Sequence, residues 1–219
     1  VSHTWEGPDA EFTLESDNIP WSFLPDRKVA VEDIKYLLSA HYQGTPYDPY
    51  SGRDSGKRGM YRSIGINRTG VTAICQIRNG VPEKARGIEW ISFGSTVFSA
   101  MLPVYAAADD IPKYLSDVTA DVSTENFYWG SRLIGALADG CYAATMQDIE
   151  RYELSVMTKG RELIREYDRR MTEANDFSLT GEANEKISAM AREETTATLN
   201  KVLQTASEKM KNGYNLADH

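Results

Sequence analysis

Two cysteines, three histidines and one arginine set among apolar neighbours are the residues of this chain whose types could do chemistry. A thiol becomes a nucleophile only where a base or cation keeps it as thiolate. Cys75 lies in the apolar run Val71-Thr72-Ala73-Ile74-Cys75-Gln76-Ile77, and Cys141 follows Ala138-Asp139-Gly140 in helical surroundings. Neither has a histidine beside it, so both are expected to be inert small hydrophobes. His3 and His219 stand at the ends, and no strand–Gly-x-Ser-x-Gly–helix element is present to carry a serine triad. His41, at the end of an amphipathic stretch, is either a base or, the commoner case, a packed or capping histidine. Two cysteines are too few for a disulfide framework or a cysteine-built zinc site. Asp48 and Asp54 lack the spacing of a calcium loop. Asn67-Arg68-Thr69 matches a glycosylation sequon but sits where a hairpin is expected, without secretory context, and reads as chance. Arg62 is harder to dismiss. It alternates with Met60, Ile64 and Ile66, and an inward arginine must meet a carboxylate, a dipole or a substrate. A structural ion pair and a catalytic role are both open to it, while Arg68 and Arg78 read as peripheral, near turns.

The elements that must position these groups fall into three regions, preceded by a lead-in. Residues 1–26 form an irregular arm, punctuated by Pro8, Pro20 and Pro25 and bearing Trp5, Phe12, Trp21 and Phe23 to bury elsewhere. Val29 to Tyr42 predicts a short helix, since Ile34, Leu37, Leu38 and His41 recur at helical spacing. Gln43 to Gly59 has the turn chemistry of a long loop and carries Tyr47 and Tyr50, with Tyr42 just before it. Met60–Asn67 and Val71–Ile77 predict a hairpin around Thr69-Gly70, and Ile88–Phe93 a third strand, which together mean an antiparallel sheet. Pro103 and Pro112 read as breaks. Helices are expected over about Thr124–Asp139 with Ser123 as N-cap, over Cys141–Asn175, and from near Gly181 to Asn212 with Gly213 as C-cap. The last shows only a thin apolar stripe, as an arm packed on one side would. Charges such as Arg161, Arg165, Asp168 and Arg169 read as a solvated helix face. The fold class is α+β, divided into a β-rich part over 1–122 and a helical region over 123–219.

Composition narrows the classes further. Over 219 residues, 41% hydrophobic and 26% charged is a globular balance, and 32 acidic against 24 basic residues leave a net charge of −8. Phosphate neutralisation needs a concentrated basic face, so a nucleic-acid partner is not expected. No apolar run approaches the roughly 20 residues that span a bilayer, so no membrane partner is expected either. The start Val1-Ser2-His3, without Met, leads us to expect a processed product, a proteolytic fragment or a piece of something longer.

Several motifs in order carry a resemblance. His41-Tyr42-Gln43-Gly44-Thr45-Pro46-Tyr47-Asp48-Pro49-Tyr50, then Arg62-Ser63-Ile64-Gly65-Ile66-Asn67-Arg68, then Gln76-Ile77-Arg78-Asn79-Gly80-Val81-Pro82 are similar to the C-terminal half of the bacterial dipeptidase A family. Val31-Glu32-Asp33-Ile34-Lys35, Ile88-Glu89-Trp90-Ile91-Ser92-Phe93-Gly94 and Met101-Leu102-Pro103-Val104-Tyr105 add to it. The resemblance is clear over roughly the first two-thirds and looser through the helical tail. It implies the C-terminal half of an αββα sandwich of the N-terminal-nucleophile hydrolases, and hydrolysis of dipeptides without metal or cofactor. In that family the thiol of an N-terminal cysteine attacks the peptide carbonyl while its own α-amine serves as base. Val1 supplies neither group, so this chain alone is expected to be inactive. The resemblance carries one catalytic position over, Arg62, by likeness to the strand arginine that assists the nucleophile in related acyl-amide hydrolases, with Arg68 as fallback. Tyr47 and Tyr50 are expected to border the substrate cleft. The implied partners are dipeptides, the missing N-terminal half and further copies of the protein, in the cytoplasm. Two other readings stay open: a non-catalytic helical assembly module, and an amidase acting on acyl conjugates.

Overall fold

The computed structural model describes residues 12, 13, 15–22, 24, 25, 27–52 and 56–211. Trp5, Phe23, Asp54, Ser55, Gly213, His3 and His219 lie outside them. The architecture is α+β: a three-stranded antiparallel sheet with helices laid on one face. In chain order the elements are α1 (Val31–Leu38), β1 (Val71–Ile77), β2 (Gly87–Phe93), β3 (Leu102–Tyr105), α2 (Lys113–Ser116), α3 (Phe127–Asp139), α4 (Tyr142–Ala174) and α5 (Leu179–Glu208). Among the described residues no helix is long and apolar enough to cross a membrane.

The sheet runs β1-β2-β3, with Ile74 opposite Trp90 and Trp90 opposite Pro103. Strict alternation decides which side is dry. Ile88, Trp90 and Tyr105 point to the helices and are buried, and the Trp90 indole N–H donates across the ladder to Gln76 Oε1 at 3.0 Å. The opposite face of β1 carries Val71, Ala73, Cys75 and Ile77, all exposed. Pro103 is no break. It lies in edge strand β3, where a missing N–H can be tolerated. That edge is capped at Tyr105, whose backbone N–H and C=O pair with the Asn184 amide at 2.8 and 3.1 Å.

The expected strand over Met60–Asn67 is not one. The backbone N–H groups of Ile64 and Gly65 both donate to Ala40 C=O, at 3.1 and 2.9 Å, which ties the segment to the exit of α1. Gly65 is needed there, because a Cβ at that position would meet the Ser39 carbonyl and Val97 at 2.8 Å. With this segment held elsewhere, β1 pairs with β2 instead.

Helix α4 buries Thr145, Ile149, Tyr152, Val156, Gly160, Ile164, Tyr167 and Met171, a stripe at three- and four-residue spacing. It ends at Asn175 in the left-handed region (φ 49°), where Asn175 N–H returns to Thr172 C=O and Asp176 N–H to Met171 C=O, a Schellman closure. Helix α5 then runs back along α4, and also meets α3 and β3. Its buried stripe is small and polar, with Thr180, Ala183, Asn184, Ser188, Ala191, Thr195 and Thr198 around Ile187 and Val202. Counting only apolar residues made this face look thin. Small side chains let the helices close up: a Cβ on Gly130 of α3 would sit 2.8 Å from Thr195. The N-cap of α3 is Asn126 rather than Ser123, its Oδ1 accepting the Trp129 N–H at 2.8 Å.

Candidate functional site

The segment after α1 folds around His41. His41 is 5% exposed and its partner Asp48 8%. Nδ1 stands 3.1 Å from Asp48 Oδ1 and Nε2 stands 3.1 Å from the Tyr142 hydroxyl on the first turn of α4. A carboxylate can only accept, so Nδ1–H faces Asp48, and in the neutral ring Nε2 accepts from Tyr142. Asp48 Oδ1 also takes the Tyr50 backbone N–H at 2.9 Å. The Tyr50 ring stacks on Tyr142 at 4.0 Å and 6°, and its hydroxyl donates to Asp139 at 2.8 Å. Burial, then the Asp139 carboxylate, pushes the Tyr50 hydroxyl well above the ordinary phenol range. Burial likewise pushes Tyr142 up to about 12. Both phenols therefore stay protonated donors near neutral pH. His41 is thus a packed histidine that pins the tyrosine-bearing loop to α4.

Tyr47 lies in a second aromatic group, edge-on to Tyr61 at 5.0 Å and Tyr42 at 6.4 Å, with Lys57 Nζ 5.7 Å from its ring centre. The Tyr42 hydroxyl donates to the Arg62 carbonyl at 3.2 Å, and Tyr61 donates to Glu15 at 2.5 Å. Arg62 itself is exposed, in irregular chain, and not inward on a strand. Its guanidinium has no ion-pair partner among the described residues. Arg68 is exposed in the same segment. The structure thus gathers Tyr47 and, through its carbonyl, Arg62 at one aromatic group, and sends Tyr50 to the other.

Neither cysteine is buried as a packed small hydrophobe would be. Cys75 is exposed, because its strand position falls on the uncovered sheet face, and Cys141 is half-exposed, its Sγ–H donating to Leu137 C=O at 3.2 Å. Among the described residues no group of three or more His, Cys, Asp or Glu could hold a metal ion.

Sequence reasoning missed three charged pairs. Arg78, read as peripheral, forms a two-pronged pair with Asp168 at 2.5 and 2.9 Å, and the Tyr105 hydroxyl donates to the same carboxylate at 2.8 Å. Asp168 and Arg161, read as a solvated face, are instead engaged: Arg161 pairs with Glu32 and lies 4.7 Å over Trp90. The one available signal was Asp168's place one turn after Ile164 on the buried stripe of α4. Lys35 of α1, buried against α4, donates to Glu153 at 2.9 Å.

A profile of Peptidase family C69 matches residues 2–155. A protein named dipeptidase from Bifidobacterium longum (strain NCC 2705) is 37% identical over 256 residues, covering 98% of this chain and 48% of that protein. A probable dipeptidase A from Streptococcus pyogenes serotype M18 (strain MGAS8232) is 40% identical, over 91% of this chain and 42% of that protein. Dipeptidase A of Lactobacillus helveticus is 29% identical, over 99% and 46% respectively. The chain spans about half the length of the curated relatives it matches.

Proposed function

The chain belongs to peptidase family C69, and from that membership we propose that it is the C-terminal portion of a dipeptidase whose cysteine nucleophile lies on a segment outside this chain. The observation that carries the reading is the unclosed side of the sheet. Val71 and Ile77 are 60% and 78% exposed on a face they share with Ala73, Cys75 and Ile91, where Glu89 is the one charged strand residue. The bonds from Gly94 N–H to Gly70 C=O and from Arg78 N–H to Arg86 C=O set the phase of the β1–β2 ladder. Even-numbered residues of β1 therefore bond to β2, and the backbone groups of Val71, Ala73, Cys75 and Ile77 point off the free edge. A bare apolar face beside an unpaired edge is an aggregation liability in a complete domain. A second sheet over that face and a strand along β1, as in an αββα sandwich, remove both liabilities at once.

In this reading Arg62 assists the nucleophile from across the interface, its guanidinium being uncommitted among the described residues, and Arg68 is the alternative. Tyr47 and Tyr50 border the cleft, Tyr50 as a wall because Asp139 holds its hydroxyl. The helical region over 123–219 braces the β-rich part over 1–122. An assembly-module reading draws less support, since α5 spends one whole face on α3, α4 and β3.

Amino-acid release from dipeptides tests the proposal. The intact protein is expected to turn over, to be silenced by iodoacetamide, and to lose about 10²-fold in kcat on Arg62→Gln without a change in stability. The 219-residue chain alone is expected to release nothing. Sustained turnover by that chain, abolished by Cys75→Ser, overturns the proposal.

A further inference from the structure

Between the helix-facing side of the sheet and α4 lies a cavity of about 100 Å³ whose walls include Arg78, Arg161, Arg165, Gln76 and Trp90. Three arginines are among its lining residues, Arg165 at the exposed rim, and no acidic residue is. Two of the three are charge-balanced from outside the cavity: Arg78 by Asp168 and Arg161 by Glu32. Arg165 has no ion-pair partner among the described residues, which leaves one net positive charge.

The donor inventory is uneven in the same direction. Arg78 spends Nη1 and Nη2 on Asp168 and the Ala85 carbonyl, while its buried Nε has no hydrogen-bond partner. Arg161 spends Nε and Nη2 on Glu32, leaving Nη1, and its plane is steadied 4.7 Å from the Trp90 ring. Gln76 gives its Oε1 to Trp90, so its amide N–H groups remain. A buried donor without an acceptor, as at Arg78 Nε, is unfavourable, and guanidinium donors match the flat, paired oxygens of an oxyanion.

We propose that this cavity is a binding site for one small oxyanion, a carboxylate or phosphate group, held by Arg78 Nε, Arg161 Nη1 and the Arg165 guanidinium. The anion neutralises the surplus charge and supplies the acceptor that Arg78 Nε lacks. A carboxylate bearing an apolar side chain can add contact with Ile88 and Ile164, which line the same cavity, whereas free phosphate gains nothing from them.

The Trp90 indole N–H resonance of the intact protein, identified through Trp90→Phe, reports occupancy without any catalytic step. Inorganic phosphate, acetate and N-acetyl-leucine are titrated separately. A saturable shift is expected with at least one of them, weakened about tenfold in Arg165→Gln and unchanged in Arg151→Gln, an exposed position farther along α4. Tighter binding of N-acetyl-leucine than of acetate assigns the site to a peptide carboxylate, and preference for phosphate assigns it to the free ion. Absence of a saturable shift, or equal weakening by both substitutions, overturns the proposal. A protein that hydrolyses no dipeptide yet shows the Arg165-dependent shift loses only the peptidase reading. One that hydrolyses dipeptides without the shift loses only this site.

Discussion

Lys35→Met is the sharpest single perturbation of the packing between α1 and α4. Lys35 is 4% exposed and its ammonium donates to the Thr96 carbonyl at 2.6 Å, Ser39 Oγ at 3.0 Å and Glu153 at 2.9 Å. Burial raises the Glu153 carboxyl to about 7, with Lys35 pulling against it. A carboxyl raised in the folded state binds protons more tightly there than in the unfolded chain. The stability it contributes is therefore complete below its ordinary value of 4.5 and is lost as pH rises through about 7. Removing the ammonium strands that carboxylate, which costs about 3–5 kcal/mol where it is ionised. With Lys35 gone the carboxyl rises further, so protonation relieves the defect by at most about 1.4 kcal/mol per pH unit, or up to about 3 kcal/mol between about pH 8 and 6. Urea unfolding followed by circular dichroism at those two pH values measures the difference. The double variant Lys35→Met/Glu153→Gln is expected to recover much of the loss at the higher pH. An equal loss at both pH values, or a double variant no better than the single one, refutes the account.

Gly160→Ala is expected to destabilise by about 1–3 kcal/mol despite the better helix propensity of alanine, because the new methyl group meets Pro103 at 2.7 Å; chemical denaturation reads it. Asn126→Ala removes the acceptor for the Trp129 N–H and is expected to cost about 1 kcal/mol, with Asn126→Asp restoring it by the same assay. Tyr142→Phe deletes the donor to His41 Nε2 and is expected to cost about 1 kcal/mol while speeding amide exchange in the loop, with the Gly59 N–H bonded to Tyr47 C=O as the reporter.

What could be read in advance follows from how local each signal is. The helical spacing within Val29 to Tyr42, the β-formers of Ile88 to Phe93 and the long helical stretch Cys141 to Asn175 are local signals, and each holds an element of the expected type, the first shortened to Val31–Leu38. Met60 to Asn67 alternates as well, yet it is no strand, because its backbone finds Ala40 rather than a ladder partner. Alternation states which face would be dry in a sheet; it does not state that a sheet edge is available. The apolar stripe of α5 is thin because small polar groups share its packed face: Thr195 packs against Gly130 and lies with its Oγ1 2.8 Å from the Tyr152 hydroxyl.

The candidate site divides in the same way. His41, Asp48 and Tyr50 share one motif, so their grouping was written within ten residues of chain, and Arg62 drew notice by its neighbours. Tyr142, Asp139 and Asp168 reach their partners across 63 to 101 residues, a separation over which composition and periodicity carry no pairing information. Local order thus determined by itself the α+β class, the family and the tyrosine-bearing loop. Tertiary packing alone decided that Arg62 faces outward, that Cys75 lies on an uncovered face and that three arginines line one cavity. Burial and charge pairing depend on which surfaces meet, and that is settled only when distant segments close on one another.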